Sequence, residues 1–312
     1  MIRIATRGSA LAIAQARQVA ELVGGAELVE VSSDGEVGDK ARFVRGVERA
    51  LLAGEADIGV HSAKDVPAEI PDGLVIAGVP AREDPADVWI GAGAPGGISS
   101  SGVPGDHSPS SERVGASLDG VPEGARVGTA SLRRRAQLLA ARPDLEVSEL
   151  HGNVDSRLRK LAEGDLDAIV LAAAGLRRLG REDEASFAIP AEAMTPAAGQ
   201  GALVLQARSD DADSIETAAA VGGETALREL TAERAVVALL QATCATPIGV
   251  HAKVDGGQIE IEAFVGLPDG SEWIRDRVEC DAEEPAAAGA LLAERLLSAG
   301  ARDILDRAEA LA

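Results

Sequence analysis

The sequence predicts an α/β protein with a small α+β domain at its C-terminal end. Three observations lead to this prediction. The chain has 312 residues, which is enough for two or three domains. Strand patterns alternate with helix patterns over most of its length, as in βαβ units. From about residue 222 the pattern changes to one long helix, three strands and terminal helices.

The first half of the chain opens with a predicted strand over residues 2–6, where isoleucine alternates with other residues. Gly8 provides a turn, and Ser9 is a suitable N-cap for a helix over about 10–23. A second helix is predicted over about 43–53, with its apolar residues on one side. The remaining strands of this half are expected near 27–32, 56–61, 74–80 and 87–91.

The second half shows the same alternation. Ser131 is expected to cap a helix that ends near residue 141, and another helix is predicted over 153–163. Strands are expected at ARVGTA, LEVSEL, DAIVLAA and GALVLQAR. Such alternation implies parallel sheets with right-handed crossovers. Between the two halves, residues 93–111 are rich in Gly, Ser and Pro and are expected to form an inserted surface loop.

The charge of the chain excludes some functions. A net charge of −21 argues against broad electrostatic binding to nucleic acid. Aromatic residues make up only 2% of the chain, and lysine is scarce beside arginine. High acidic charge together with few lysines indicates a salt-adapted, halophilic protein, because salt screens the repulsion between acidic groups.

Other features narrow the class of protein further. No apolar run reaches the length of about 18 residues that a membrane-spanning helix needs. The N-terminus lacks the pattern of a signal peptide, so we expect a cytoplasmic protein without membrane contact. Two cysteines cannot form a disulfide framework, and the four histidines lie far apart in sequence. No metal site is therefore expected.

The motif HSAKDVP at residues 61–67 follows a predicted strand. Loops at the carboxyl ends of parallel strands are where α/β proteins bind ligands. A carboxylate at Asp65 is able to balance a developing cation or to transfer a proton. The alternative is that Asp65 only stabilises the turn, paired with Lys64.

Two predicted helix starts combine features that bind anions. In GTASLRRRAQ, Thr129 and Ser131 precede Arg133 and Arg134, so backbone N–H groups and guanidinium groups would face the same ligand. HGNVDSRLRKL repeats this layout with Arg157. The arginine cluster predicts a site for a small polyanion. The alternative is a set of solvated helix faces balanced by nearby acids.

For two further residues, Arg178 and Cys244, the sequence leaves open whether the role is functional or only structural. Arg178 in LRRLG lies near a predicted helix C-terminus, where arginine also complements the helix dipole. Cys244 lies in the small-residue loop QATCATPIG, where a covalent attachment point is conceivable. The alternative for Cys244, as for Cys280, is a small buried apolar residue.

Ten motifs occur together and in the order of one protein family. They are ATRGSALA, FVRGVERALLAGEADIGVHSAKDVP, REDPAD, VGTASLRRRAQL, RPDLEV, HGNVDSRLRKL, LAAAGLRRLG, PAAGQGAL, ETALRELTAERA and CATPIG. They cover most of the chain apart from the insertion and the divergent C-terminal part. On these motifs the sequence strongly resembles the porphobilinogen deaminase, or hydroxymethylbilane synthase, family.

The resemblance implies a more specific fold. Two periplasmic-binding-protein-like domains would flank a cleft, followed by a small α+β C-terminal domain that anchors a cofactor. Domain 1 would comprise residues 1–92 with 198–216, domain 2 residues 112–197, and domain 3 residues 217–312. The insertion at 93–111 would separate the first two domains.

The resemblance also implies an activity, that of a transferase in tetrapyrrole and haem biosynthesis. The enzyme would condense four porphobilinogen molecules, with loss of ammonia, onto a dipyrromethane cofactor held by a thioether. Hydrolysis would then release the linear tetrapyrrole hydroxymethylbilane. It implies a monomer, with a possible hand-off of the product to the next synthase of the pathway.

Residue roles follow from the same motifs. Asp65 would be the catalytic acid. The cofactor would be bound covalently by Cys244 and otherwise by Ser62, Lys64, Thr129, Ser131, Arg133, Arg134, Gly152 and Arg157. The substrate would be bound by Arg7, Ser9, His151, Arg157, Arg178 and Gln200.

The chain also departs from the family pattern. His151 stands where the family has arginine, and Thr243 stands where it has glycine. These departures put one carboxylate contact and the ease of cofactor loading in question. Two alternatives therefore remain: a non-catalytic two-lobed binding protein for a small organic anion, and a catalytically inactive regulator. The binding protein would need neither Cys244 nor Asp65.

Overall fold

The computed structural model of the chain describes residues 1–32, 42–93, 118–243 and 246–311. The strands are β1 (Ile2–Arg7), β2 (Ala26–Val31), β3 (Ile58–Ser62), β4 (Leu74–Gly78), β5 (Asp87–Gly91), β6 (Arg126–Gly128), β7 (Glu146–Ser148), β8 (Ala168–Ala172), β9 (Phe187–Ile189), β10 (Leu203–Arg208), β11 (Ile248–Asp255), β12 (Gln258–Gly266) and β13 (Trp273–Asp281). The helices are α1 (Ala10–Leu22), α2 (Arg42–Leu52), α3 (Leu132–Ala141), α4 (Val154–Ala162), α5 (Ala173–Arg178), α6 (Ala212–Ala220), α7 (Glu224–Leu239), α8 (Pro285–Ser298) and α9 (Ala301–Ala310). The predicted insertion at 93–111 lies outside the described residues, except for Gly93.

The first sheet has the strand order β2-β1-β3-β10-β4. β1 runs parallel to both β2 and β3. Ile4 and Ile58 point into a core that they share with Val19 of α1, and all three side chains are fully buried. α1 begins where the sequence predicts, because the Ser9 hydroxyl accepts a hydrogen bond from Ala12 N at 3.3 Å.

The second sheet repeats this arrangement with the order β7-β6-β8-β5-β9. β6 runs parallel to β7 and β8. Its core contains Trp89, Val170 and Leu138, all fully buried. Ser131 caps α3 as predicted, with its hydroxyl accepting from Arg134 N at 3.4 Å.

Each of these sheets contains one strand that comes from the other half of the sequence. β5 follows the strands of the first sheet along the chain but pairs antiparallel with β8 and β9. β10 follows the second sheet along the chain but pairs antiparallel with β3 and β4. The expectation of parallel sheets is therefore wrong for β5 and β10. Alternation of strands and helices does not reveal which sheet a strand joins.

Sheet membership also differs from the domain limits expected from the sequence. β5 already belongs to the second sheet, although the expected limit of domain 1 was residue 92. α6 packs against β4 and β10 of the first sheet and extends beyond the expected limit at residue 216. The two chain crossings between the lobes thus lie before β5 and before β10.

The C-terminal domain is an antiparallel sheet in the order β11-β12-β13, covered by α7, α8 and α9. Its core includes Val236, Val250 and Leu292, all fully buried. α7 and α8 approach closely at Gly289, where a Cβ atom would lie only 2.2 Å from Ala232 O. The three sheets confirm the predicted fold class of two periplasmic-binding-protein-like domains and a small α+β C-terminal domain.

The C-terminal domain packs against both the second lobe and the chain that leaves it. Val250 N donates to Pro196 O at 2.8 Å. Gly270 has a φ of +73°, and a Cβ atom there would lie 2.3 Å from Ala140 N at the end of α3. These contacts place α3 between the C-terminal sheet and its own lobe. Among the described residues, no helix has the length and apolarity needed to cross a membrane.

Candidate active site

The loop after β3 carries the two charged residues of the HSAKDVP motif. Residues 63–65 form a single 3₁₀ turn, and Ala63 N donates to Ala202 O at 3.0 Å. The Asp65 carboxylate lies 3.9 Å from Arg7 Nη2, and the two side chains are 27% and 22% exposed. Asp65 therefore faces Arg7 on β1 and remains accessible to a ligand.

Lys64 has no salt bridge with any described residue. Burial, together with the positive charge of Arg134, lowers the pKa of its ammonium group to about 8. Asp65 and Asp87 oppose the shift but do not cancel it. A half-buried lysine in this environment lacks a counter-ion, and a bound carboxylate would supply one.

The hydroxyl groups of this region already have protein partners. Gln15 Nε2 donates to Ser62 Oγ at 2.8 Å, which ties α1 to the end of β3. Ser9 Oγ accepts the capping hydrogen bond of α1. A hydroxyl that accepts one hydrogen bond keeps its own proton to donate, so Ser9 is still able to bind an anion.

The start of α3 brings the predicted arginines onto a carboxylate of the protein itself. Asp87, at the start of β5, is fully buried between Arg133 and Arg134. Arg133 Nη1 donates to Asp87 Oδ2 at 2.8 Å, and Arg134 Nη2 donates to Asp87 Oδ1 at 2.7 Å. Although burial alone would raise it, the two guanidinium groups hold the pKa of Asp87 far below its usual range.

Thr129 and Gln200 belong to the same buried network. Thr129 Oγ1 accepts from Ser131 N at 3.2 Å and so shapes the entry to α3. Gln200 Nε2 donates to Asp87 Oδ1 at 2.9 Å and to Pro85 O at 2.6 Å. The side chain of Gln200, which was expected to bind substrate, therefore lies at the crossing between the lobes.

Arg157 is positioned by the turn before α4. Gly152 has a φ of +121°, and a Cβ atom there would lie 2.2 Å from Ser156 Oγ, so the turn requires glycine. Asn153 caps α4 through Ser156 N at 2.9 Å. Arg157 Nε donates to Gly152 O at 2.9 Å, and Arg157 forms no salt bridge with any described residue. Burial and the charge of Arg134 lower its pKa to about 10.

Arg178 reaches from the end of α5 towards the first lobe. Its Nη2 donates to Gly201 O at 2.7 Å. Burial lowers the pKa of its guanidinium group, and it has no salt bridge with a described residue. The adjacent Arg177 instead pairs with Glu83 at 2.6 Å on the surface. Of the two arginines in LRRLG, Arg178 is therefore the one with capacity for a ligand.

The two departures from the family pattern lie in different surroundings. His151 is 73% exposed, and its Nε2 lies 3.0 Å from Glu149 Oε2. Cys244 lies outside the described residues, but both flanks of its loop are described. Thr243 N donates to Thr246 Oγ1 at 2.8 Å, and Thr246 N donates to Thr243 O at 3.0 Å. These two hydrogen bonds hold the ends of the loop together.

Sequence reasoning missed a second buried network that joins the C-terminal domain to the first lobe. Glu233 on α7 is fully buried and accepts from Arg82 Nη1 at 2.7 Å. It also accepts from Gly199 N at 2.6 Å and from Ala252 N at 2.8 Å. Arg82 lies in the REDPAD motif, Gly199 in PAAGQGAL and Glu233 in ETALRELTAERA, so the motifs contained these residues but did not predict the contacts between them.

Comparison with known families identifies the protein. Residues 2–216 match the family described as "Porphobilinogen deaminase, dipyromethane cofactor binding domain". Residues 227–298 match "Porphobilinogen deaminase, C-terminal domain". The chain belongs to the porphobilinogen deaminase family. The predicted transferase activity, that of a hydroxymethylbilane synthase in porphyrin biosynthesis, and the predicted dipyrromethane cofactor are confirmed.

Relatives of the enzyme match along almost its whole length. A porphobilinogen deaminase from Syntrophus aciditrophicus is 40% identical, covering 99% of each chain. One from Brevibacillus brevis is 39% identical, covering 97% of this chain and 96% of the relative. Among solved structures, the periplasmic VFT2 domain of Bordetella pertussis BvgS matches 69% of this chain and 85% of its own, at 15% identity and a TM-score of 0.37.

Proposed function

We propose that Asp65 is the catalytic carboxylate and that the surrounding cations hold the carboxylates of cofactor and substrate. The observation that carries this proposal is a set of cations without salt bridges to described residues: Lys64, Arg157 and Arg178. The chain as a whole is strongly acidic, with a net charge of −21. Desolvated cations in such a protein are stabilised by a bound polyanion.

The donor set of the site fits the dipyrromethane cofactor. Each of its two pyrrole units carries an acetate and a propionate, so the group presents several carboxylates to one site. Lys64 and Arg157 would hold these carboxylates as charge-assisted hydrogen-bond donors. Arg133 and Arg134 already share Asp87, so their remaining N–H groups would serve this role. When bound to Cys244, the cofactor supplies the pyrrole carbon that is extended.

The remaining predicted cofactor contacts are assigned to groups around the same helix starts. The backbone at the start of α3, shaped by Thr129 and Ser131, would contribute its positive helix end to binding a carboxylate. Gly152 plays the same part before α4 and also orients Arg157. Ser62 is the last of the predicted cofactor contacts. It lies at the end of β3, directly before the loop that contains Asp65, here called the catalytic loop.

On the substrate side, Arg7 and Arg178 would bind the carboxylates of incoming porphobilinogen. Ser9 would donate its hydroxyl proton, and His151 would contribute when its imidazole is charged. Gln200 would support the substrate site indirectly, through the hydrogen bond that its Nε2 donates to Asp87. Asp65 would transfer a proton to the departing ammonia and balance the positive charge that develops on the pyrrole nitrogen.

We also propose that the enzyme works as a cytoplasmic monomer that passes its product to the next synthase. The large exposed apolar side chains among the described residues are those of Met1 and seven leucines, distributed along the chain from Leu22 to Leu311, which favours a monomer. Cys280 is a free thiol, in keeping with a reducing compartment. The domains would follow the limits expected from the sequence, except that β5 (Asp87–Gly91) would belong to the second lobe and α6 (Ala212–Ala220) to the first.

Adaptation to high salt is a separate proposal that depends on the charge of the chain. The excess of acidic groups destabilises the folded state by repulsion unless salt screens it. The enzyme would therefore lose its near-ultraviolet circular dichroism in millimolar salt and regain it in molar salt. An unchanged spectrum across that range would contradict the proposal.

The intact mass of the purified chain tests the cofactor assignment. We expect an added mass of two porphobilinogen units less ammonia, mapped to Cys244 by peptide digestion. Asp65→Asn should then lower kcat by about 10²–10⁴-fold and leave a measurable residual rate, since general acid catalysis contributes about that much. The matched control Asp72→Asn, at an exposed loop position, should leave kcat unchanged. An unmodified chain that binds porphobilinogen without turnover would favour the non-catalytic anion-binding protein instead.

A further inference from the structure

One side chain of the C-terminal domain holds the backbone that follows Asp65. Arg234 lies on α7, 168 residues further along the chain than Val66. Its Nη1 donates to Val66 O at 3.3 Å, and its Nη2 donates to Pro67 O at 2.8 Å and to Ala68 O at 2.8 Å. A single guanidinium group thus binds three consecutive carbonyl groups of the catalytic loop.

Arg234 has no other described role that would account for its position. It forms no salt bridge with any described residue, and burial lowers the pKa of its guanidinium group. Among the described residues, no backbone N–H donates to the carbonyls of Val66, Pro67 or Ala68. Loss of Arg234 would therefore leave these carbonyls without a protein donor, in a segment where Val66 is buried.

The direction in which Asp65 points depends on this backbone. The Asp65 carboxylate has one salt bridge among the described residues, with Arg7 at 3.9 Å. That distance is too long for a hydrogen bond to fix the side chain. Its placement therefore relies on the 3₁₀ turn of residues 63–65 and on the extended chain that follows it.

The residue next to Arg234 holds the other side of the same loop. Glu233 accepts a hydrogen bond from Gly199 N at 2.6 Å. Gly199 has a φ of +72°, and a Cβ atom there would lie 3.0 Å from Lys64 N and 2.8 Å from Ala63 Cβ. Glu233 thus holds Gly199, which packs against the residues just before Asp65, while the adjacent Arg234 binds the residues just after it. The loop that contains Cys244 begins shortly after the end of the same helix.

We propose that Arg234 is a positioning residue for Asp65: it fixes the backbone of residues 66–68 so that the carboxylate is aimed at the reacting atoms. It links the domain that anchors the cofactor to the lobe that carries the catalytic acid. The proposal rests on the catalytic role proposed above for Asp65. A displacement of about 1 Å in a catalytic group is enough to reduce the rate by about 100-fold.

The test compares Arg234→Met and Arg234→Lys with a matched control on the same helix. Arg228 pairs with Glu224 at 2.6 Å and Glu283 at 2.8 Å, so Arg228→Met removes an α7 arginine that does not touch the loop. Each variant is assayed with porphobilinogen as the holoenzyme, after its mass has shown that the cofactor is loaded. We expect kcat to fall by about 100-fold in Arg234→Met with KM within about twofold, and Arg228→Met to remain near wild type.

Two further measurements separate positioning from general stabilisation. Arg234→Lys keeps the charge but presents a compact ammonium group, so it should restore part of kcat. If Arg234 acts through Asp65, the double variant Asp65→Asn/Arg234→Met should be no slower than Asp65→Asn alone. A merely structural role would instead lower the unfolding temperature of Arg234→Met and add to the loss caused by Asp65→Asn.

The possible failures are distinguishable. The Arg234 proposal is overturned if Asp65→Asn slows turnover while Arg234→Met keeps wild-type kcat, changes only KM, or adds its own loss to that of Asp65→Asn. Full turnover by Asp65→Asn would instead refute the catalytic role of Asp65, and with it the positioning role. If Arg234→Met does not fold, the kcat of Arg234→Lys and its non-additivity with Asp65→Asn decide the question.

Discussion

Arg134 donates twice to one oxygen of the fully buried Asp87, from Nε at 3.0 Å and from Nη2 at 2.7 Å. The arginine that the sequence assigns to a ligand is thus also the counter-ion of a buried carboxylate. This relationship fixes the start of α3 against β5, the strand that crosses between the lobes. The anion site and the connection between the lobes therefore share one network.

Asp87→Asn should strongly destabilise the enzyme. It removes the charge that compensates Arg133 and Arg134 and leaves both guanidinium groups buried, which typically costs about 3–5 kcal/mol of unfolding free energy. Urea denaturation at neutral pH measures the loss. The control is Asp167→Asn, whose ion pair with Arg126 lies on the surface, where solvent screens it, and should change the stability much less.

The stability that the ion pairs of Asp87 contribute should decrease as the pH falls. Its pKa is lower in the folded enzyme than in the unfolded chain, so its ion pairs stabilise the fold at neutral pH. This stabilisation is lost as the pH falls through the ordinary carboxyl range and below it. Equal acid sensitivity of the Asp87→Asn variant and the wild type would contradict the assignment.

The buried His61 should make the free energy of unfolding decrease as the pH falls from 6.5 to about 4. It is 4% exposed, and burial lowers its pKa from 6.5 to about 4, with a smaller contribution from the charge of Arg7. In this window the unfolded chain binds a proton that the folded enzyme does not, so stability falls as the pH falls. The loss should be on the order of 3 kcal/mol.

The unfolding free energy of His61→Gln, measured at pH 7 and at pH 4.5, tests this prediction. The variant should lose less stability than the wild type across this range. The control His151→Gln changes an imidazole that is 73% exposed and should follow the wild type. A parallel pH dependence in all three proteins would show that His61 does not titrate in this way.

Lys64 should make anion binding weaken as the pH rises through about 8. Its pKa in the described structure is about 8, so the site loses one positive charge above that pH. The Lys64→Arg variant keeps its charge, and its affinity should stay flat across this range. Calorimetry with porphobilinogen on Cys244→Ser, with and without Lys64→Arg, measures the difference. The same decline in both proteins would exclude Lys64 as its cause.

His151→Arg should leave kcat similar or raise it. An arginine at this exposed position is always charged, whereas the imidazole is charged only when protonated. It would keep the contact with Glu149, which now lies 3.0 Å from the ring. Steady-state kinetics with porphobilinogen at pH 7 and pH 8 give the result. A collapse of kcat would mean that the imidazole has a role of its own.

Much of the secondary structure was predictable because its causes are local. Ser9, Ser131 and Asn153 each cap a helix with a side-chain oxygen. Each oxygen accepts a hydrogen bond from the backbone N–H only three residues further along the chain. The strand over 87–91 was also predicted with its observed limits. Local patterns could not assign that strand to a sheet, because β5 is apolar whichever sheet buries it.

The candidate site was predictable in its membership but not in its connections. The motifs located Lys64, Asp65 and Arg157, whose residue types carry the chemistry. They did not indicate that Asp87 would engage Arg133 and Arg134, or that Gln200 would join them, because those contacts span 46 to 113 residues of sequence. Such pairs depend on the tertiary fold, which brings together residues that are far apart in sequence.

The sequence by itself determined the family, the enzyme class, the cofactor and the order of strands and helices, since all of these are written in local motifs and periodicity. Only the tertiary structure decided that β5 and β10 each pair with strands from the other half of the sequence. It alone decided that Asp87 forms ion pairs with the arginines of α3. It also decided that Arg234 holds the loop of Asp65 from another domain. The physical reason is that buried charges are satisfied by whichever partner the packed chain brings within about 3 Å, irrespective of its distance in sequence.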